Sequence, residues 1–123
     1  MKNNYEIVSL RTPNQLVEAI AHNIEQEINS YYLILNDWDK PCRHFKSILN
    51  GDDYSDTVLY TIDIFDIPNC LEIMRYCIKD HKETVSTMNL SNYDQLPLLV
   101  IMHKAFPRII SYNGSIGAEL GLL

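Results

Sequence analysis

Short apolar runs recur along the chain at spacings typical of β-strands. They lie at residues 5–10, 31–35, 58–64, 98–102 and 108–112. The run at 31–35, Y-Y-L-I-L, has no charged position and favours a strand that is buried on both faces. The pattern therefore predicts five strands, of which the second is fully buried.

Between these runs, apolar residues recur at the spacing of helices. A first helix is predicted after Thr12, a suitable cap, with Pro13 in the first helical position and Gln15 completing a capping box. A second should start near Pro41, and a third near Asp66, another possible cap. The apolar faces are Leu16, Val17, Ile20 and Ile24 in the first helix, Phe45, Ile48 and Leu49 in the second, and Ile67, Leu71, Met74 and Ile78 in the third.

The order of these elements predicts the fold class. Strands separated by helices imply parallel neighbours and right-handed crossovers, whereas the short link at 104–107 makes the last two strands an antiparallel hairpin. We expect one α/β domain over residues 1–123, with a mixed sheet of four or five strands and helices on both faces. The polar stretch 80–95 should be a helix end and a long loop, and residues 115–123 a short helix.

Charge and cysteine content narrow the function classes. A net charge of −6 argues against a protein that holds nucleic acid by neutralising phosphates. No apolar run approaches the ~20 residues of a membrane span, and the first residues, M-K-N-N-Y-E, lack the apolar segment of a signal peptide. With an odd number of cysteines, three, we expect a reducing intracellular location, cytoplasmic or nuclear.

One segment carries candidate chemistry, D-W-D-K-P-C-R at residues 37–43, directly after the second predicted strand. It resembles the thioredoxin motif W-C-x-P-C-R/K, with Asp39 in place of the first cysteine. Gln95-Leu96-Pro97 resembles the loop in which thioredoxins hold a cis-proline against that site. The resemblance covers nearly the whole chain and implies a thioredoxin-like fold, with a cis Leu96–Pro97 bond packed near Trp38 and Cys42.

A closer resemblance is to the small thioredoxin-like proteins of the spliceosomal tri-snRNP. That family has the form D-W-D-P-T-C at this position, and a segment V-I-Y-x-V-D-I-x-x-V-P that is similar to V-L-Y-T-I-D-I-F-D-I-P at residues 58–68. The resemblance implies a protein-binding or scaffold component in pre-mRNA splicing.

The residues at this motif argue against ordinary dithiol exchange. A thioredoxin attacks disulfides with its first cysteine as a thiolate, and Asp39 cannot form a mixed disulfide; it should instead cap the following helix, where the dipole stabilises its carboxylate. The resemblance also implies a buried acid five residues before the Trp, where Leu33 stands. Cys42 should be buried and slow to react.

These observations leave two function classes. The first is a redox-inactive thioredoxin-fold protein that binds another protein, and the second is a monothiol oxidoreductase or redox sensor acting through Cys42. Whether the chain is an enzyme therefore depends on Cys42, the one catalytic candidate. We expect no cofactor and no nucleic-acid or membrane partner.

No other cluster of reactive side chains emerges. Cys70 and Cys77 are seven residues apart on one predicted helix, about 10 Å along its axis, which is too far for a disulfide or a shared metal. They are interpreted as small buried hydrophobes. The histidines (His22, His44, His81 and His103) have no metal-binding spacing, so no metal site is expected.

The predicted binding surface is the face of the motif. Its residues are Trp38, Asp39, Lys40, Pro41, Leu96, Pro97 and Leu98. An exposed Trp beside a cis-proline and free backbone groups would suit an extended peptide, because aromatic anchors carry much of the energy of such binding. The alternative is that Trp38 only covers the start of the helix.

Overall fold

A computed structural model describes residues 5–36, 38, 40, 42–44, 58–77, 96–103 and 106–111. Its five strands are β1 (Glu6–Leu10), β2 (Ser30–Leu35), β3 (Val58–Asp63), β4 (Leu98–His103) and β5 (Phe106–Ser111), and its helices are α1 (Pro13–Glu25) and α2 (Cys70–Cys77). Lys40 and residues 42–44 are also helical, which agrees with the helix start predicted near Pro41.

The strands form one mixed sheet in the order β1-β3-β2-β4-β5. β3 pairs in parallel with β1 and β2, while β4 is antiparallel to β2 and β5. The predicted pairing of the last two apolar runs is confirmed, from Leu98 with Ser111 to His103 with Phe106. The chain thus has the α/β architecture that its element order predicts.

Both faces of the central strand β2 are buried, and its alternate residues divide between them. Tyr32 and Ile34 join the core on the face that α1 and α2 cover. Leu33 and Leu35 belong to a second cluster on the opposite face, together with Cys42. The prediction of a strand buried on both faces is therefore confirmed. Cys42 packs against one face of the sheet and is not exposed to solvent.

Helix α1 begins and ends with the hydrogen bonds that its sequence favours. Thr12 Oγ1 accepts from the Gln15 N–H and Gln15 Oε1 accepts from the Thr12 N–H, both at 3.2 Å, so the capping box is confirmed. At the other end Ile28 N–H donates to the Asn23 carbonyl at 2.9 Å, and Glu27 has φ 54°. This is a Schellman end with a glutamate in the left-handed position.

Two element boundaries differ from the prediction. Asp66 does not cap the third helix, because residues 64–66 form a turn in which the Asp63 carbonyl accepts from the N–H groups of Asp66 and Ile67. Helix α2 instead begins at Cys70, and its first bond runs from Ile73 N–H to the Asn69 carbonyl. Strand β5 begins earlier than predicted and includes Pro107, which an edge strand tolerates.

Several predicted features lie outside the described residues. They are the body and end of the second helix at 45–51, Ile78 and the polar stretch 80–95, and the short helix at 115–123. No helix in the described part of the chain is both long enough and apolar enough to cross a bilayer.

A polar cluster is buried under α1 where β2 and β3 begin. Asn23 Nδ2 donates to the phenol oxygens of Tyr32 and Tyr60 at 3.2 Å, and Ser30 Oγ donates to that of Tyr32 at 3.0 Å. The two tyrosine rings stack with centroids 5.0 Å apart. Burial raises the pKa of Tyr32 from its ordinary 10.0 to about 12, although the Ser30 and Asn23 hydrogen bonds oppose this.

This raised pKa predicts a loss of stability in alkali. Between pH 10 and 12 the unfolded chain releases the Tyr32 proton while the folded chain keeps it, so the free energy of unfolding should fall by roughly 2 kcal/mol. Urea unfolding at several pH values measures this. Tyr32→Phe removes the proton as well as two hydrogen bonds, so it should be less stable at neutral pH yet lose less stability above pH 10. Equal losses in the two proteins would contradict the assignment.

Candidate functional site at the carboxyl ends of β2 and β3

Strands β2 and β3 end side by side. Leu35 is paired with Asp63 across the parallel ladder, and Ile64 N–H extends it by donating to the Leu35 carbonyl at 3.0 Å. The segments that leave the two strands therefore start from the same edge of the sheet. One of them is the start of the D-W-D-K-P-C-R motif.

Each of these segments presents one aromatic side chain. Asn36 Oδ1 accepts from the Trp38 N–H at 3.1 Å, and Asp63 Oδ1 accepts from the Phe65 N–H at 2.8 Å. Side-chain oxygens that accept from the backbone two residues later form Asx turns, which fix the direction of the chain. The two turns place the aromatic residues next to each other at the sheet edge.

Trp38 and Phe65 stack on each other in the open. Their ring centroids are 6.2 Å apart and their planes 19° from parallel, yet the side chains are 80% and 76% exposed. A single exposed apolar residue is ordinary on a protein surface, whereas an exposed patch of large apolar side chains marks an interaction site. We call Trp38 and Phe65 the aromatic pair.

A small polar crevice lies at the same edge, with a volume of about 100 Å³. The strand ends of β1, β2 and β3 form its walls. It is lined by Ser9, Leu10, Arg11, Leu35, Thr61, Asp63 and Asp66. The Ser9 and Thr61 hydroxyls within it are hydrogen-bonded at 3.2 Å. Phe65 lies between two of the lining residues, Asp63 and Asp66, in the sequence.

Cys42 is buried on the face of the sheet opposite α1 and α2. It is 1% exposed, as predicted, and packs in the apolar cluster that contains Leu33 and Leu35. Leu33, at the position where the thioredoxin resemblance implies a buried acid, is completely buried in the same cluster. The Cys42 thiol therefore has an apolar side chain at the place where that resemblance implies a proton-accepting carboxylate.

The other residues of the predicted surface are placed differently. Lys40 is exposed, and Leu96 is half-buried against both clusters. The Leu96–Pro97 peptide bond is cis, as predicted, but Pro97 and Leu98 are buried. Leu98 is only 4% exposed because it points into the core beneath α1 and α2; the prediction that it presents a binding surface is wrong. Asp39 and Pro41 lie outside the described residues.

Sequence reasoning missed Phe65. Phe65 is not among the residues predicted for the binding surface, although its position two residues beyond β3 is a usable signal. Its pairing with Trp38 depends on the register of β2 against β3. The pair thus extends the predicted surface toward β3.

The remaining cysteines and histidines form no second site in the described residues. None of the three cysteines is in a disulfide; Cys70 is buried on α2, and Cys77 is half-buried at its end. Burial raises the pKa of the Cys77 thiol. His22 and His44 are exposed. No three potential metal ligands cluster among the side chains that the structure describes.

Comparison with solved structures identifies the fold. Thioredoxin O2 from Arabidopsis thaliana, in its oxidized state, superposes with a TM-score of 0.62 at 17% identity, covering 98% of this chain and 99% of that one. The chain has the thioredoxin fold. Thioredoxin O1 from the same plant gives 0.59 at 13% identity, covering 94% of this chain and 98% of that one.

A third thioredoxin, NaTrxh from Nicotiana alata, superposes with a TM-score of 0.61 at 9% identity, over 97% of this chain and 92% of that one. No protein-family model matches the sequence. No curated protein matches it either. At these identities the likeness concerns the fold, and the function has to be argued from the residues at the sheet edge.

Burial predicts which thiols react. Iodoacetamide should modify the half-buried Cys77 first, while Cys42 and Cys70 should react only when the structure opens. An opening that costs about 3 kcal/mol would slow them roughly 100-fold relative to an exposed thiol. Site-resolved mass spectrometry over time, with urea-unfolded protein as the control, measures the three rates. Native Cys42 that reacts as fast as in urea would contradict its burial.

Proposed function

We propose that this chain is a redox-inactive thioredoxin-fold protein that binds another protein through the edge containing Trp38. The observation that carries the proposal is which side chains this edge buries and which it exposes. The thiol is sealed in the core, and two large aromatic side chains stand in the solvent. Such an edge is suited to recognition and unsuited to thiol exchange.

The case against thiol exchange rests on three positions. Asp39 supplies a carboxylate where an attacking thiolate would be required. Cys42 is present but buried, and position 33 holds a leucine in place of the acid that the resemblance implies. Restoring a thiol at position 39 would leave Leu33 in place, so we expect only part of the activity to return.

The alternative is a monothiol reaction at Cys42. A mixed disulfide would require a substrate sulfur to approach the Cys42 Sγ in line with its own disulfide bond. With 1% of the residue exposed, this approach requires the apolar cluster around Leu33 to open first. The exposed face therefore favours binding over a reaction at this thiol.

The aromatic pair supports a protein partner. Large aromatic side chains are the commonest anchors of protein interfaces and dominate their energetics. The resemblance of the motif to the tri-snRNP thioredoxin-like proteins supports a splicing particle as that partner. The protein would then act as a scaffold component inside the cell, in the cytoplasm or nucleus, without a cofactor.

The redox part of the proposal predicts the outcome of an insulin-reduction assay with dithiothreitol as the electron donor. The wild-type protein should not accelerate the reaction beyond dithiothreitol alone. Asp39→Cys should gain measurable activity, because two thiols at positions 39 and 42 can pass both electrons and protons to the insulin disulfide. Leu33 should keep that activity below thioredoxin rates.

Asp39→Ser is the matched control, since it changes the same position without adding a thiol, and it should stay inert. Wild-type activity that disappears in Cys42→Ser would overturn the proposal in favour of the monothiol enzyme.

The binding part predicts a loss of partners when the anchor is removed. Tagged wild-type protein and Trp38→Ala are compared by quantitative capture from native extract; the variant should bind its main partner about 30-fold more weakly, which corresponds to a hot-spot loss of ~2 kcal/mol. Tyr76→Ala is the control, because Tyr76 is 70% exposed on α2. Splicing-particle proteins lost only from Trp38→Ala would support the proposal, and equal capture by both variants would refute it.

A further inference from the structure

Cationic, acidic and aromatic side chains follow one another along the sheet edge that carries the aromatic pair. The strand order β1-β3-β2 puts Arg11, after β1, on one side, Asp63 and Asp66 in the middle, and Trp38 on the other side. Adjacent strands lie about 4.8 Å apart, so Arg11 follows a strand about 10 Å from the one that Trp38 follows. The strand before the two carboxylates is thus adjacent to the strand that Trp38 follows, whereas the strand before Arg11 is one position further away.

The aromatic pair has open ring surface on which a cation can lie. Each ring uses one face for the stack at 6.2 Å, and exposures of 80% and 76% leave most of the remaining surface in contact with water. The face of an aromatic ring is electronegative, and tryptophan attracts cations most strongly. A guanidinium is planar and weakly hydrated, so it stacks on such a face at small desolvation cost.

An exposed carboxylate directly follows the aromatic pair in the sequence. Asp66 directly follows Phe65, is exposed, and lines the crevice. Asp63 precedes Phe65 by two residues, and one of its oxygens accepts the Phe65 N–H. A guanidinium on the rings would therefore meet the negative charge of Asp66 at the crevice, with the fixed turn holding the aromatic face in place.

We propose that the partner places an arginine side chain of an extended segment on the aromatic pair, with its guanidinium facing Asp66. This inference rests on the proposed function and names the chemistry of the contact. The net charge of −6 favours a cationic partner and opposes nucleic acid. Lys40, exposed two residues after Trp38, opposes a cation and sets the expected sign of one variant below.

The test uses two peptides that differ only in charge, acetyl-Gly-Arg-Gly-amide and its citrulline counterpart. Trp38 is the only tryptophan, so its fluorescence and its indole N–H resonance report on this edge alone. The arginine peptide should bind about threefold to tenfold more tightly than the citrulline peptide, and the difference should shrink as salt is added. Equal binding of the two peptides, or no response of Trp38 to either, would overturn the inference.

Variants separate the contributions of the rings and the charges. Asp66→Asn and Phe65→Leu should each weaken binding of the arginine peptide about threefold or more, and Lys40→Gln should tighten it. Glu72→Gln, on the exposed side of α2, is the matched charge control and should leave binding unchanged. Loss of binding in Glu72→Gln equal to that in Asp66→Asn would show a nonspecific charge effect and contradict the contact.

Failure of this inference is distinct from failure of the proposed function. If the citrulline peptide binds as well as the arginine peptide while Trp38→Ala still loses its captured partner, the edge binds an apolar segment and only the arginine contact is wrong. If Trp38→Ala keeps its partner, the recognition surface itself is refuted.

Discussion

The parallel pairing of β2 with β3 is the interaction on which the rest of the structure depends. β2 is buried on both faces, so its backbone groups have no access to water and must be hydrogen-bonded to neighbouring strands. The partners β3 and β4 supply those bonds and fix the register at Leu35 with Asp63. This register sets the relative positions of the two segments that form the candidate site.

The register determines which side chains are buried and which are exposed. Alternation along β2 sends Leu33 and Leu35 to the face where Cys42 packs, and this closes the thiol under apolar side chains. Beyond the hydrogen bond from Ile64 N–H to the Leu35 carbonyl, the side chains of Asn36 and Asp63 turn the two segments outward. The sealed thiol and the exposed aromatic pair therefore have one structural cause.

Local signals in the sequence predicted the features that depend on a few neighbouring residues. The capping box at Thr12 and Gln15 and the doubly buried run at 31–35 are examples. Features set by pairing at a distance could not be predicted this way. Leu98 lies in a strand, L-L-V-I-M-H, whose continuous apolar run gives no sign of which side chain faces which cluster. Asp66 was a plausible helix cap by sequence, but Asp63 forms the turn after β3 and accepts the N–H groups of Phe65, Asp66 and Ile67.

The claim that the Trp38 edge is a recognition surface is tested most directly by fluorine NMR of protein labelled with 5-fluorotryptophan, which gives one signal because the chain has one tryptophan. In the free protein that signal should show the solvent isotope shift of an exposed indole when water is exchanged for deuterium oxide. In the complex with the captured partner it should move and lose most of that shift. A buried indole in the free protein, or one that stays fully exposed in the complex, would contradict the claim.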